Sequence, residues 1–168
     1  MPDQPGAPSE RLPRPDLAGP THGFTVVHQM RASAAGVYRA WTAAFDSWFA
    51  KSGVIRMRPV VDEPFFFETE HQGSLHPHHG RFLTLEPDHL VELTWMTGRD
   101  GTGGAETVVR VELLPTGYGT LVRVTHSGFY DEAAAAQHAA AWPMLLAHLD
   151  ERLAETSGSA GKDASPQG

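Results

Sequence analysis

Cysteine is absent from the 168 residues. That excludes a disulfide framework, a thiolate nucleophile and any zinc site built on cysteine. Long apolar runs are absent too: none approaches the ~20 residues a membrane-spanning helix needs, so no membrane partner is expected. Basic clusters are also missing. Thirteen Lys and Arg stand against 20 Asp and Glu, a formal charge of −7, and they form no concentrated run. Nucleic acid is therefore not an expected partner, because phosphate binding wants a clustered basic face. The first twenty residues carry no hydrophobic segment of the secretory kind, and a cytoplasmic location is the expectation. No nucleophile-elbow, P-loop or dinucleotide-binding glycine pattern occurs. Gly101, Gly103 and Gly104 are spaced as a hairpin loop and precede no helix. No cofactor is expected.

What is present is ordinary in bulk and unusual in one residue type. A content of 40% hydrophobic and 20% charged residues suits a globular domain. Ten histidines make the charge pH-sensitive, since protonating all of them would move it from −7 to +3. Residues 1–21 are rich in Pro, Gly and charge, and the stretch after Glu155 is similar; both read as disordered tails (1–21 and 156–168) around one domain, 22–155.

The longest periodic segment is Asp131–Ala154. A 3.6-residue period places Ala135, His138, Trp142, Leu145, Leu146, Leu149 and Leu153 on one stripe, with Met144, Glu151 and Glu155 opposite. Phe24–Met30 alternates as a strand. Ser33 caps a helix running to Phe45 whose apolar face carries Val37, Trp41, Ala44, Phe45 and Trp48. A short turn with Trp48 and Phe49 follows, up to Ser52-Gly53. Strands are then expected at Val54–Arg58, Phe65–His71, Leu75–Leu85, His89–Met96, Glu106–Leu114 and Thr120–His126, separated by Gly, Pro and Asp turns. Consecutive hairpins with helices after the first strand and at the end define an α+β two-layer fold.

Several blocks in this order carry a resemblance. They are Val37-Tyr38-Arg39-Ala40-Trp41-Thr42 with Trp48-Phe49, Gly80 to Pro87, His89 to Trp95, Gly119 to Gly128, and Trp142-Pro143-Met144-Leu145-Leu146. Together they resemble START-like (SRPBCC) domains, and within these the family named for activators of the heat-shock-protein-90 ATPase. The resemblance implies a helix-grip fold, an antiparallel sheet wrapped round the C-terminal helix with a cavity between. It further implies that many members bind hydrophobic small molecules and some act on polyketides. The chain departs from the pattern at Arg58 to Pro64, where relatives often have a glycine-rich turn, and at Ala141, often Gly. Eukaryotic co-chaperones of the family carry an additional domain, and the ~20 residues before Phe24 are too few for one.

Pro143 removes a backbone donor inside the long helix, so a kink there would stand its first half off the sheet and open a chamber. The lining expected for that chamber is Phe65, Phe67, His71, Trp95, His126, His138 and Trp142. Two histidines, His138 and His126, are the candidate acid–base residues, with Tyr130 near the same end. The competing reading of these groups is a set of buried, hydrogen-bonded side chains, and most aromatics in so small a domain simply fill space. The run His71, His76, His78, His79 has metal-ligand chemistry, but Pro77 breaks its alternation and no carboxylate joins it; no metal site is expected. Glu68, Glu70, Glu92, Glu106 and Glu112, with Arg110 and Arg123, alternate away from the core and read as cross-strand ion pairs. Three functions stay open: binding of a hydrophobic small molecule, a cyclase-, dehydratase- or hydrolase-like enzyme in the same cavity, and a co-chaperone-like protein with a chaperone partner.

Overall fold

The computed structural model describes residues 11–18, 22–99 and 101–160; of the tails expected at 1–21 and 156–168, residues 1–10, 19–21 and 161–168 lie outside these, while 156–160 continue a helix. Six strands form one curved antiparallel sheet in the order β1-β6-β5-β4-β3-β2. They are β1 (His22–Met30), β2 (Pro64–His71), β3 (Ser74–Glu86), β4 (Leu90–Trp95), β5 (Thr107–Thr116) and β6 (Gly119–Phe129). Helix α1 (Ala34–Trp41) follows β1, and α2 (Glu132–Ala160) closes the fold. The two-layer α+β helix-grip architecture is thus the one the sequence predicts. No helix among the described residues is long and apolar enough to cross a membrane.

Helix α1 starts where expected: the Ser33 hydroxyl accepts from the Gly36 N–H at 3.2 Å. It ends earlier than predicted, at Trp41. The Thr42 hydroxyl donates to the Tyr38 carbonyl at 2.8 Å, and the Trp48 indole donates to the Ala40 carbonyl at 2.8 Å. These bonds satisfy carbonyls that a longer helix would have used. A single 3-10 turn, Phe45–Ser47, then brings Trp48 and Phe49 back over the sheet.

The strand expected at Val54–Arg58 does not form. Arg56 makes one reciprocal pair with Phe66, at 2.8 and 2.9 Å, and Lys51 donates to the Glu68 carbonyl at 2.7 Å. Val54 stays exposed while Ile55 and Met57 pack against the core, and the segment meets β2 at a single bridge rather than in continuous register. It shields the outer edge of β2 instead.

Strand β4 is buried on both faces. Val91, Leu93 and Trp95 join the core, while Glu92 and Thr94 are buried on the far side. Part of the N-terminal segment expected as a tail covers that side. Leu12 N–H donates to Asp62, the Pro13 carbonyl accepts from Arg81, and Arg14 reaches Thr84 at 3.2 Å and Glu92 at 2.8 Å. Pro13 and Pro15 restrict this segment to extended backbone before it docks, which lowers the entropy lost in ordering it. The outward carboxylates pair as predicted, Glu92 with Arg110 at 3.1 Å and Glu112 with Arg123 at 3.7 Å.

Helix α2 buries Ala135, Trp142, Leu146 and Leu149 and leaves Met144 exposed, following the predicted stripe. It runs without a break through Pro143 and on to Ala160. The chamber expected beneath Trp142 is filled. Trp142 stacks on Trp41 at 5.6 Å and lies 5.7 Å from Trp95, and Phe45 meets Phe67 edge-on at 4.9 Å. Rings delivered by α1 and its 3-10 turn occupy the space a bent helix would have vacated.

Candidate functional site

Five of the seven residues expected to line a chamber are core residues instead. Phe65, Phe67, Trp95, His126 and Trp142 are all buried and pack on one another. Gly80 lies opposite Phe65 across the β2–β3 ladder, and a Cβ there would come within 2.6 Å of the Phe65 ring. His71 and His138 alone of the seven face an open space.

His126 has no capacity left for catalysis. Its Nδ1 accepts from the Trp142 indole N–H at 3.1 Å, which leaves the proton on Nε2 to donate to the Thr107 hydroxyl at 2.7 Å. Thr107 in turn donates to the Trp95 carbonyl. Both ring nitrogens are committed within a fully buried chain of bonds, and burial holds the imidazole well below its usual pKa, in the neutral form. It is a structural histidine joining α2 to β4, β5 and β6.

The open space is a cavity of ≈ 630 Å³ at the hairpin end of the sheet. Three elements build it: the tip of the β2–β3 hairpin, the β4–β5 loop, and the first half of α2 through Gln137, His138 and Ala141. The hairpin register explains its wall. Phe67 pairs with His78, Thr69 with His76 and His71 with Ser74, so one continuous face turns from aromatic to polar as it leaves the core. The loop is held by reciprocal bonds between Thr97 and Thr102, each backbone N–H donating to the other's hydroxyl at 2.9 and 2.7 Å. Arg99 projects from this loop at the exposed rim. On the helix side Ala141 presents only a methyl group to this space.

His78 is the residue that the sequence reading misplaced. Expected beside a break in the strand at Pro77, it is 9% exposed, stacked on Phe67 at 4.7 Å and edge-on to Trp95 at 5.1 Å. Pro77 does not interrupt the strand, because beyond His79 only β2 lies beside β3 and an edge tolerates proline. The signal was there: His76, His78, Gly80 and Phe82 keep a strict period of two. Burial pushes the His78 imidazole down to about 4.

His138 stands between His126 and Phe129, with ring centroids at 5.3 and 4.9 Å, and its Nδ1 bonds the Ala134 carbonyl at 2.8 Å. Tyr130 does not join the histidines; it is exposed, with its hydroxyl close over Gly103. Among the described residues no group of three or more His, Asp or Glu side chains is arranged to hold a metal ion.

The family model described as activator of Hsp90 ATPase homolog 1-like protein matches residues 31–154. The chain belongs to this family. Among solved structures it is similar to a protein from Mesorhizobium loti, at 24% identity and a TM-score of 0.67, over 80% of this chain and 98% of that one. A Rhodobacter sphaeroides protein matches at 21% identity and 0.65, over 84% and 97%. The Aha1 dimer from Colwellia psychrerythraea, solved in solution, matches at 20% and 0.60, over 79% and 96%. These likenesses carry the fold. No curated protein matches the chain.

Proposed function

We propose that this family member is a small-molecule-binding module whose ligand sits in the hairpin-end cavity rather than beneath Trp142. The observation that carries the reading is the cavity itself. Its volume of ≈ 630 Å³ lies within the range of drug-sized ligand sites, and its wall is built largely of polar residues, with Leu75, Pro77 and Ala141 adding apolar surface. The core beside it is aromatic, with Phe67 and Trp95 packed against His78.

The test is a thermal-shift screen of aromatic and lipid-like compounds on the native chain and on Ala141→Trp. Ala141 is exposed on the cavity side of α2. A tryptophan there fills the space at a helix-propensity cost below about 1 kcal/mol. Compounds at 100 times their Kd should stabilise the native chain by about 2.7 kcal/mol and leave the variant unmoved. Equal stabilisation of both proteins sends the ligand elsewhere.

One observation favours an enzymatic variant of the same reading. Of the two acid–base candidates, His126 is used up by its bonds, whereas His138 keeps Nε2 free beside the cavity. If the cavity turns a substrate over, His138→Ala should abolish turnover while only weakening binding.

A further inference from the structure

The two imidazoles that form the inner walls are each held in one tautomer. His78 Nδ1 lies 2.9 Å from the His76 carbonyl, and His138 Nδ1 lies 2.8 Å from the Ala134 carbonyl. A carbonyl can only accept, so in both rings Nδ1 carries the proton and donates it. A neutral ring that donates through Nδ1 keeps a lone pair on Nε2, and neither Nε2 has a hydrogen-bond partner among the described residues. His78 is at the same time the most buried of the four histidines in the wall, where burial favours the uncharged ring. The cavity therefore presents two acceptors from opposite sides, one on β3 and one on α2.

The charges around them narrow what can fill the space. No carboxylate lines the cavity among the described residues, so a cationic ligand meets no counter-charge from them. An anion could pair with Arg99 at the rim, but its oxygens would face lone pairs at the inner walls. Leu75, Pro77 and Ala141 add apolar contact to the same lining.

We propose that the cavity takes an uncharged hydroxylated small molecule, a phenol or alcohol with an apolar body, whose O–H groups donate to Nε2 of His78 and of His138. This rests on the cavity being the ligand seat. It adds the polarity of the ligand: donors outward, with no formal charge.

Calorimetry on the full chain at neutral pH tests it with three probes of one shape: 2,6-dihydroxynaphthalene, its dimethyl ether and the 2,6-dicarboxylate. The diol should bind roughly tenfold or more tighter than the ether, at about fivefold per neutral hydrogen bond, and tighter than the dicarboxylate. His138→Ala should cut the diol-over-ether preference about fivefold while leaving the ether's affinity in place. His138→Gln, which returns an acceptor oxygen, should recover part of it. His78→Leu should act like His138→Ala, and if it fails to fold the helix-side variants decide alone. Equal affinity for diol and ether, preference for the dicarboxylate, or a diol preference untouched by His138→Ala overturns the donor inference and leaves the seat standing. If none of the three probes binds, the seat itself is wrong and the inference falls with it.

Discussion

Acid should loosen this protein well above the range where carboxylates titrate, and His78 sets a measurable share of the effect. An unperturbed histidine titrates near 6.5, and burial against Phe67 and Trp95 brings His78 down to about 4. The folded form thus refuses a proton that the unfolded chain accepts. Above the unfolded value both forms are neutral and the contribution to stability is intact. As pH falls from 6.5 toward 4, the unfolded chain gains protons and stability is lost. Integrating that linkage from about pH 7.5 to about pH 5 gives a loss of about 2 kcal/mol from this one ring. His126 is shifted the same way by burial, so the native chain should lose more than that in total. Urea unfolding followed by tryptophan fluorescence at the two pH values measures it. His78→Phe keeps the stacked ring, removes the titration, and should cut the pH-dependent loss by about 2 kcal/mol. Identical losses in native chain and variant would refute the buried, neutral assignment of His78.

Other consequences follow from the bonded interior and from the covered outer face. Thr107→Val leaves the His126 Nε2–H and the Trp95 carbonyl unpaired in a buried site, and should lower unfolding free energy by about 2–4 kcal/mol in urea melts. Glu92 resists ionisation through burial, but bonds from Arg14, Thr84 and Arg110 prevail and keep its carboxyl below the usual range. Its stabilisation is present above the ordinary carboxylate range and lost only as pH falls through that depressed value. Glu92→Ala should therefore cost about 1–2 kcal/mol at neutral pH, the exposed arginines being partly screened, and should speed proteolytic cutting within residues 11–18. Unchanged cutting would mean that Arg14 does not hold that segment down.

Much of the architecture was legible in the chain, because it rests on local periodicity. A period of two in β5 and β6 and a period near 3.6 in α2 place residues on faces wherever the elements sit, which is why the Glu92–Arg110 and Glu112–Arg123 pairs were predictable. The same rule would have turned His78 inward had Pro77 not been read as a break. Val54–Arg58 shows the opposite failure. Its residues suit a strand and Ile55 and Met57 reach the core, but a strand also needs a neighbour in continuous register, and β2 meets it at one bridge alone.

By itself the sequence determined the order of elements, the buried stripe of α2, the charged outer face and the absence of any thiol chemistry. Only the tertiary structure decided where space remains. Whether a void lies under Trp142 depends on how far Trp41, Phe45 and Phe49 reach from α1 and its turn, and packing of that kind is set by side chains distant in sequence. The tautomers of His78, His126 and His138 are likewise set by the groups the fold brings against each ring. The composition names the imidazoles, and their surroundings divide them into one structural linker and two acceptors facing a cavity.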